Sequence, residues 1–151
     1  MLPIFITGNQ NKVDYLSRSH GMVFDHQKLD LDEIQSQDPV AVIEHKVRQA
    51  YELIKKPVLV EDTPLCFNAL DGLPGTFVKF FVEASDGLET MCRMLDGFDD
   101  RSAYASAVYG YYDGERMEFF RGKLGGFIAT YARVKVAMVG IRSLNQLDTA
   151  D

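Results

Sequence analysis

The sequence predicts an α/β protein, an elongated mixed β-sheet flanked by helices with a ligand cleft, in a single domain spanning residues 1–151. Three observations carry that expectation. The β-branched run Val58–Val60 ends in two adjacent carboxylates, Glu61 and Asp62; such a run reads as a buried strand. The apolar run at the start of the chain passes through a glycine turn into a segment with helical spacing. Further on, two strand-forming arms flank Asp113-Gly114, the residue pair that most strongly marks a hairpin.

Composition narrows the class. With 151 residues the chain is long enough for one real core and short for two. A hydrophobic fraction of 46% and a charged fraction of 25% belong to an ordinary globular protein. The net charge of −6 argues against a broad basic surface for nucleic acid. It leaves room for a nucleotide, because local lysines and a metal outweigh the overall sign. Cys66 and Cys92 have no zinc-like or redox spacing and read as buried free thiols of a reducing compartment. No basic leader or membrane-length apolar stretch stands out, so the expected location is cytoplasmic, with no membrane partner.

Taken in order, Leu2–Thr7 is a short apolar strand, expected in the middle of the sheet. Gly8, Asn9, Gln10, Asn11 and Lys12 form a turn into a helix with apolar positions at Val13 and Leu16. Helix N-termini attract anions, and Lys12 adds a full charge. Thr7, Gly8, Asn9 and Lys12 therefore read either as a triphosphate cradle or as a glycine–asparagine turn capping a helix; the stretch is not a Walker A sequence. Met22–His26 reads as a second strand, and Leu29–Ile34 alternates apolar and acidic residues into a loop containing Glu33. Among so many solvated acids, composition alone gives Glu33 no special standing. Asp38-Pro39 is an N-cap followed by proline at the first helical position. Apolar residues then recur at helical spacing to Lys55, on a helix that carries Lys46 and Arg48.

The block Val58–Gly75 is the organising stretch. In open α/β sheets ligands gather at the carboxyl ends of strands, where Glu61 and Asp62 stand. A divalent metal with a phosphate ester accounts for the two acids; a helix N-cap at Asp62 or Thr63 beside a solvated glutamate accounts for them equally well. Thr63-Pro64 marks a helix start, and Gly72–Gly75 a loop. Phe77–Glu83 holds three phenylalanines and Lys79, a composition typical of core or dimer interface. Leu88–Leu95 reads as a short helix closing at Gly97, and Ser102–Tyr112 and Glu115–Lys123 as the two hairpin arms.

Taken together, these segments resemble the inosine triphosphate pyrophosphatase family, the Ham1-like nucleotide house-cleaning enzymes. The resemblance lies in FITGNQNK, LDLDEIQS, VLVEDTPLCFNALDGLPGTFVKFF, and GFDDRSAYA followed by FRGKLGG, in family order from Phe5 to about Gly126. It implies an ITPase-like fold with a central nucleotide cleft and a homodimer. It also implies hydrolysis of ITP, dITP and XTP to the monophosphate and pyrophosphate with Mg²⁺, or Mn²⁺ in its place. The family's Thr-x-Asn-x-x-Lys motif falls on Thr7, Asn9 and Lys12. Its metal-binding acids fall on Glu33 and Asp62, with Glu61 beside them, its helix lysine on Lys46 and its cleft lysine on Lys79. The resemblance thus expects Asp62, Lys12 and Lys46 in catalysis, and Thr7, Gly8, Asn9, Lys12, Lys46, Thr63 and Lys79 against the substrate. The metal set it implies is Glu33, Asp62 and Glu61. Whether Asp62 is base, ligand or both stays open.

After about Ala129 the likeness ends. Family members continue with a Phe/Tyr-Gly-Trp-Asp-Pro motif that grips the base, whereas this chain has no tryptophan. Read from the third base of each codon, Val136–Ala150 is compatible with GYGWDPIFEPAGYSR, the missing motif in its family position. The expectation is a frameshifted, shortened product with the shift near Lys135–Val136, testable from the coding DNA. In the altered tail, Val134, Val136, Val139 and Ile141 are available to add a strand. Loss of base contacts lowers purine discrimination, so the competing reading is a catalytically weak nucleotide- or metal-binding protein, or a subunit, derived from that family.

Overall fold

A computed structural model describes residues 1–132, and these gather into two compact units. The first comprises residues 1–62 and 107–121; the second comprises residues 63–106 and the described residues from 122 onward. Together they hold seven strands and four α-helices, the mixed α/β composition expected from the sequence.

In the first unit the strands are β1 (Ile4–Ile6), β2 (His26–Gln27), β3 (Val58–Asp62), and parts of β6 (Ser102–Tyr112) and β7 (Met117–Phe127). β1 lies between β2 and β3 and is parallel to both, while β6 runs antiparallel to β3. β1 and β3 read as unbroken apolar runs because a parallel strand is covered on both faces, and Val58–Glu61 are all buried. One face is covered by α1 (Gln10–His20), whose Val13 and Leu16 pack with Phe5, Phe24 and Leu59. The other face is covered by α2 (Pro39–Ile54), which places Ile43, Val47 and Ala50 against Ile6, Val58, Val60 and Val108. The Asp38 carboxylate accepts from Val40 N–H at 2.9 Å, and Pro39 opens the helix as expected. Helix α2 comes so close to β6 that a Cβ on Gly110 would stand 2.3 Å from Ile43 Cγ2.

The second unit is built on β4 (Leu65–Phe67), β5 (Pro74–Gly75), the start of β6 and the end of β7, with α3 (Val78–Val82) and α4 (Gly87–Arg93). β4 pairs antiparallel with both β5 and β6. Its core gathers Leu65, Phe67, Met91, Leu95, Ala103 and Ala105, with Ile128 packed against them. Arg101 fastens three backbone carbonyls, those of Ile128, Cys92 and Ala129, at 2.8, 2.6 and 2.7 Å.

Several local expectations change. Thr63-Pro64 opens no helix: Leu65–Phe67 are buried and take up the β6 edge as a strand, so tertiary pairing overrides the local helix signal. The second strand is only His26–Gln27, because Met22 and Val23 are exposed and have no core to meet. The second hairpin arm runs on to Phe127. Cys66 and Cys92 are buried and free, as expected. Among the described residues no helix is long and apolar enough to cross a membrane. The expectations for the tail, including Val134, Val136, Val139 and Ile141, lie outside the described residues.

Candidate active site

The expected residues Thr7, Gly8, Asn9, Lys12, Glu33, Lys46, Glu61 and Asp62 all belong to the first unit; Thr63 and Lys79 belong to the second. At the end of β1, Thr7 Oγ1 accepts from Asn9 N–H at 3.1 Å, and the Asn9 side chain accepts from Asn11 N–H at 3.0 Å. These two bonds form the turn and cap α1, which satisfies N–H groups that a helix start otherwise leaves open. A Cβ on Gly8 would stand 2.9 Å from Lys28 Cδ, so the Lys28 stem lies across the turn. Nothing in the sequence pattern pointed to Lys28. It follows a two-residue edge strand, and its place depends on how that strand pairs.

Alternation along β3 separates the two adjacent acids. Successive side chains on a strand point to opposite faces. Glu61 is in phase with Leu59 and the α1 face; Asp62 is in phase with Val58 and Val60 and the α2 face. On the α1 side, Lys12 Nζ donates to Glu61 Oε2 at 2.6 Å, with the Glu61 side chain only 3% exposed. Tyr109, the register partner of Glu61 on β6, has its phenol pushed up to about 12 by burial and by the Glu61 charge.

On the α2 side, Lys46 Nζ donates to Glu33 Oε1 at 2.8 Å, with the Glu33 side chain 30% exposed. Asp62 lies within the field of this pair. Its carboxyl is held above the ordinary aspartate value, by burial first. Lys46 and Lys12 pull it back, while Glu61 and Glu33 push it further up. Its Oδ2 is fully buried and has no hydrogen-bond partner among the described residues. A buried carboxylate oxygen in that condition costs stability, and such an orphan calls for an explanation, a catalytic role, a water or an ion among them.

Among the described residues, no three His, Cys, Asp or Glu side chains stand together as a ready-made metal set. Glu33, Glu61 and Asp62 are thus brought into one electrostatic neighbourhood without forming a trio of ligands. Lys79 lies on α3, with Nζ 5.5 Å from the centre of the Phe80 ring, and Thr63 follows directly on Asp62.

The Ham1 family model matches residues 3–138. The chain belongs to the Ham1 family. It is 43% identical over 138 residues to inosine triphosphate pyrophosphatase 2 of Trypanosoma cruzi, a match covering 81% of this chain and 69% of the relative. It is 42% identical over 130 residues to the inosine triphosphate pyrophosphatase of Batrachochytrium dendrobatidis, covering 83% of this chain and 67% of that one. The Ham1 fold is recognisable in three dimensions as well. A Ham1 protein from Coxiella burnetii superposes with a TM-score of 0.72 at 22% identity, over 90% of this chain and 77% of its own. The Staphylococcus aureus Ham1 protein gives 0.69 at 23% identity, over 86% and 73%. At these identities the structural likeness speaks for the fold alone.

Proposed function

We propose that this Ham1 chain hydrolyses non-standard purine nucleoside triphosphates (ITP, dITP and XTP) to the monophosphate and pyrophosphate. The names of its relatives support that substrate class. The single observation that carries the chemistry is Asp62, a half-buried aspartate whose fully buried Oδ2 has no hydrogen-bond partner among the described residues, within the field of Lys46 and Glu33.

The donor set fits Mg²⁺, and Mn²⁺ in its place. Mg²⁺ is usually held by one or two carboxylates, with substrate phosphates and water completing the shell, so a trio of protein acids is not required. Asp62 and Glu33, on the same face, are the residues that would hold it; Glu61 stays with Lys12 on the opposite face. When bound, the ion offsets phosphate charge and polarises the oxygens at the reacting phosphorus. Lys12 and Lys46 bind phosphate oxygens and stabilise charge developing on them. Thr7, Gly8 and Asn9 shape the turn at the start of α1, where the helix dipole favours phosphate charge. Asp62 orients the attacking water and takes its proton, with attack at the α-phosphorus releasing pyrophosphate. The family resemblance also assigns Thr63 and Lys79 to the substrate. The protein acts in the cytoplasm as a homodimer, with the exposed ring of Phe80 on α3 offered to the partner.

The test is pyrophosphate release from ITP, GTP and ATP, with and without Mg²⁺, by the chain and by Asp62→Asn. Mg²⁺-dependent turnover of ITP that Asp62→Asn abolishes is the expected result. A folded sample that releases pyrophosphate from none of the three nucleotides overturns the proposal and favours a binding role.

A further inference from the structure

From Lys28 to Gln37 the chain contains no helix or strand, yet Glu33 in its middle is held on Lys46 at 2.8 Å. A segment without a ladder needs other partners for its backbone groups. Part of the restraint is apolar, since Leu29 and Leu31 pack against the core beneath α2. Another part comes from the side chain of Gln49. Asp32 N–H donates to Gln49 Oε1 at 3.0 Å, and Gln49 Nε2 donates to the Asp32 carbonyl at 3.0 Å. This two-point contact reproduces, with a primary amide, the reciprocal bonding that one strand gives another. The amide is itself oriented. Gln49 Nε2 lies 2.7 Å from His45 Nδ1, one turn back on α2; an amide nitrogen only donates, so the ring nitrogen accepts.

Gln49 lies one turn beyond Lys46 on α2, and Asp32 directly precedes Glu33. The same helix therefore grips two consecutive loop residues, Asp32 by its backbone and Glu33 by its carboxylate. We propose that Gln49 is a positioning residue, fixing the Asp32 backbone so that Glu33 is presented towards Asp62 for a shared divalent cation. The inference rests on the reading that Asp62 and Glu33 hold that ion. Only an amide serves both halves of the contact. Gln49→Leu keeps the size and removes both bonds. Gln49→Glu keeps an acceptor for Asp32 N–H but sets a carboxylate oxygen against the Asp32 carbonyl.

The experiment uses the full chain and Mn²⁺ as the probe, with free Mn²⁺ counted by electron paramagnetic resonance, alongside thermal unfolding and the Mn²⁺ dependence of ITP turnover. Partners that orient a metal ligand are typically worth 10–100-fold in metal affinity. Gln49→Leu and Gln49→Glu are expected to weaken Mn²⁺ binding by about tenfold, with folding cooperativity retained. Turnover should return towards the parent's at saturating Mn²⁺, and inorganic tripolyphosphate binding in the presence of a chelator should be unchanged. Mn²⁺ affinity equal to the parent's in both variants overturns the assignment of Gln49. A parent chain that binds no Mn²⁺ overturns the metal reading itself, and Gln49's role with it.

Discussion

The two faces of β3 solve the same problem differently. Each pairs a helix lysine with a glutamate, Lys12 with Glu61 under α1 and Lys46 with Glu33 under α2. On the α1 face the carboxylate sits on a strand and is 3% exposed; on the α2 face it sits on an irregular segment and is 30% exposed. A strand carboxylate sealed in this way cannot change partners without opening the sheet. The loop carboxylate is within reach of water, and it lies in the field of Asp62, whose Oδ2 has no partner among the described residues. The α1 face thus holds its lysine on a sealed carboxylate, and the α2 face is the one on which the proposed reading places an ion.

The largest contrast should appear in catalysis. Removing a general base usually costs about 10²–10⁴-fold in rate, so Asp62→Asn should lower kcat for ITP by that order. Glu61→Gln, one residue away on the opposite face, should raise KM through a loosened Lys12 and leave the Mg²⁺ dependence of turnover as it is. Steady-state kinetics across a Mg²⁺ series would decide. Equal shifts in the metal dependence for the two variants would erase the distinction between the faces.

Stability should show the reverse order. Lys12→Met leaves a charge buried at Glu61, and breaking a buried pair from one side costs about 3–5 kcal/mol. Lys46→Met leaves Glu33 able to reach water, so its cost should be about 1 kcal/mol or less. Urea unfolding of the two variants measures both, and similar losses would mean that the exposure difference has no energetic consequence.

Packing on the α2 face offers a smaller test. Gly110→Ala places a methyl group into Ile43 Cγ2, and overpacking of this kind costs about 1–3 kcal/mol. Combined with Ile43→Ala, which removes the clashing atom, the loss should be less than the sum of the single losses. Additive losses in a double-mutant cycle would show that α2 simply moves away.

Much of this contrast was written in local chemistry. Asp38-Pro39 announces α2, the Val58–Val60 run announces β3, and a period of two along β3 already separates Glu61 from Asp62. Their adjacency in sequence suggests the opposite, a side-by-side pair, and only the pairing of both strand faces with helices makes the alternation decisive. β4 was hidden because Thr63-Pro64 carries a helix-start signal, while Leu65–Phe67 become a strand only through partners at Ala103–Ala105. Lys28 and Gln49 had no signal at all. Their roles depend on where an irregular segment passes over a turn and a helix, and hydrophobic periodicity does not encode that.

The finest test concerns pH, and here too the two faces should part. The Asp62 carboxyl is raised above its ordinary value chiefly by burial, so the metal-free fold disfavours its charged form more than the unfolded chain does. For an acid raised on folding, the stabilising contribution is complete below the unfolded value and is lost as pH climbs through the folded one. Metal-free Asp62→Asn, which stays neutral throughout, should therefore unfold at a higher temperature than the parent near pH 7. The gap should close as pH falls towards the ordinary aspartate value of 3.8. Adding Mg²⁺ at pH 7 should narrow it from the other side, because an ion on Asp62 offsets the buried charge in the parent alone. A gap independent of both pH and Mg²⁺ would mean that the Asp62 charge is solvated in the folded state, and the α2 face would then lose the feature that sets it apart.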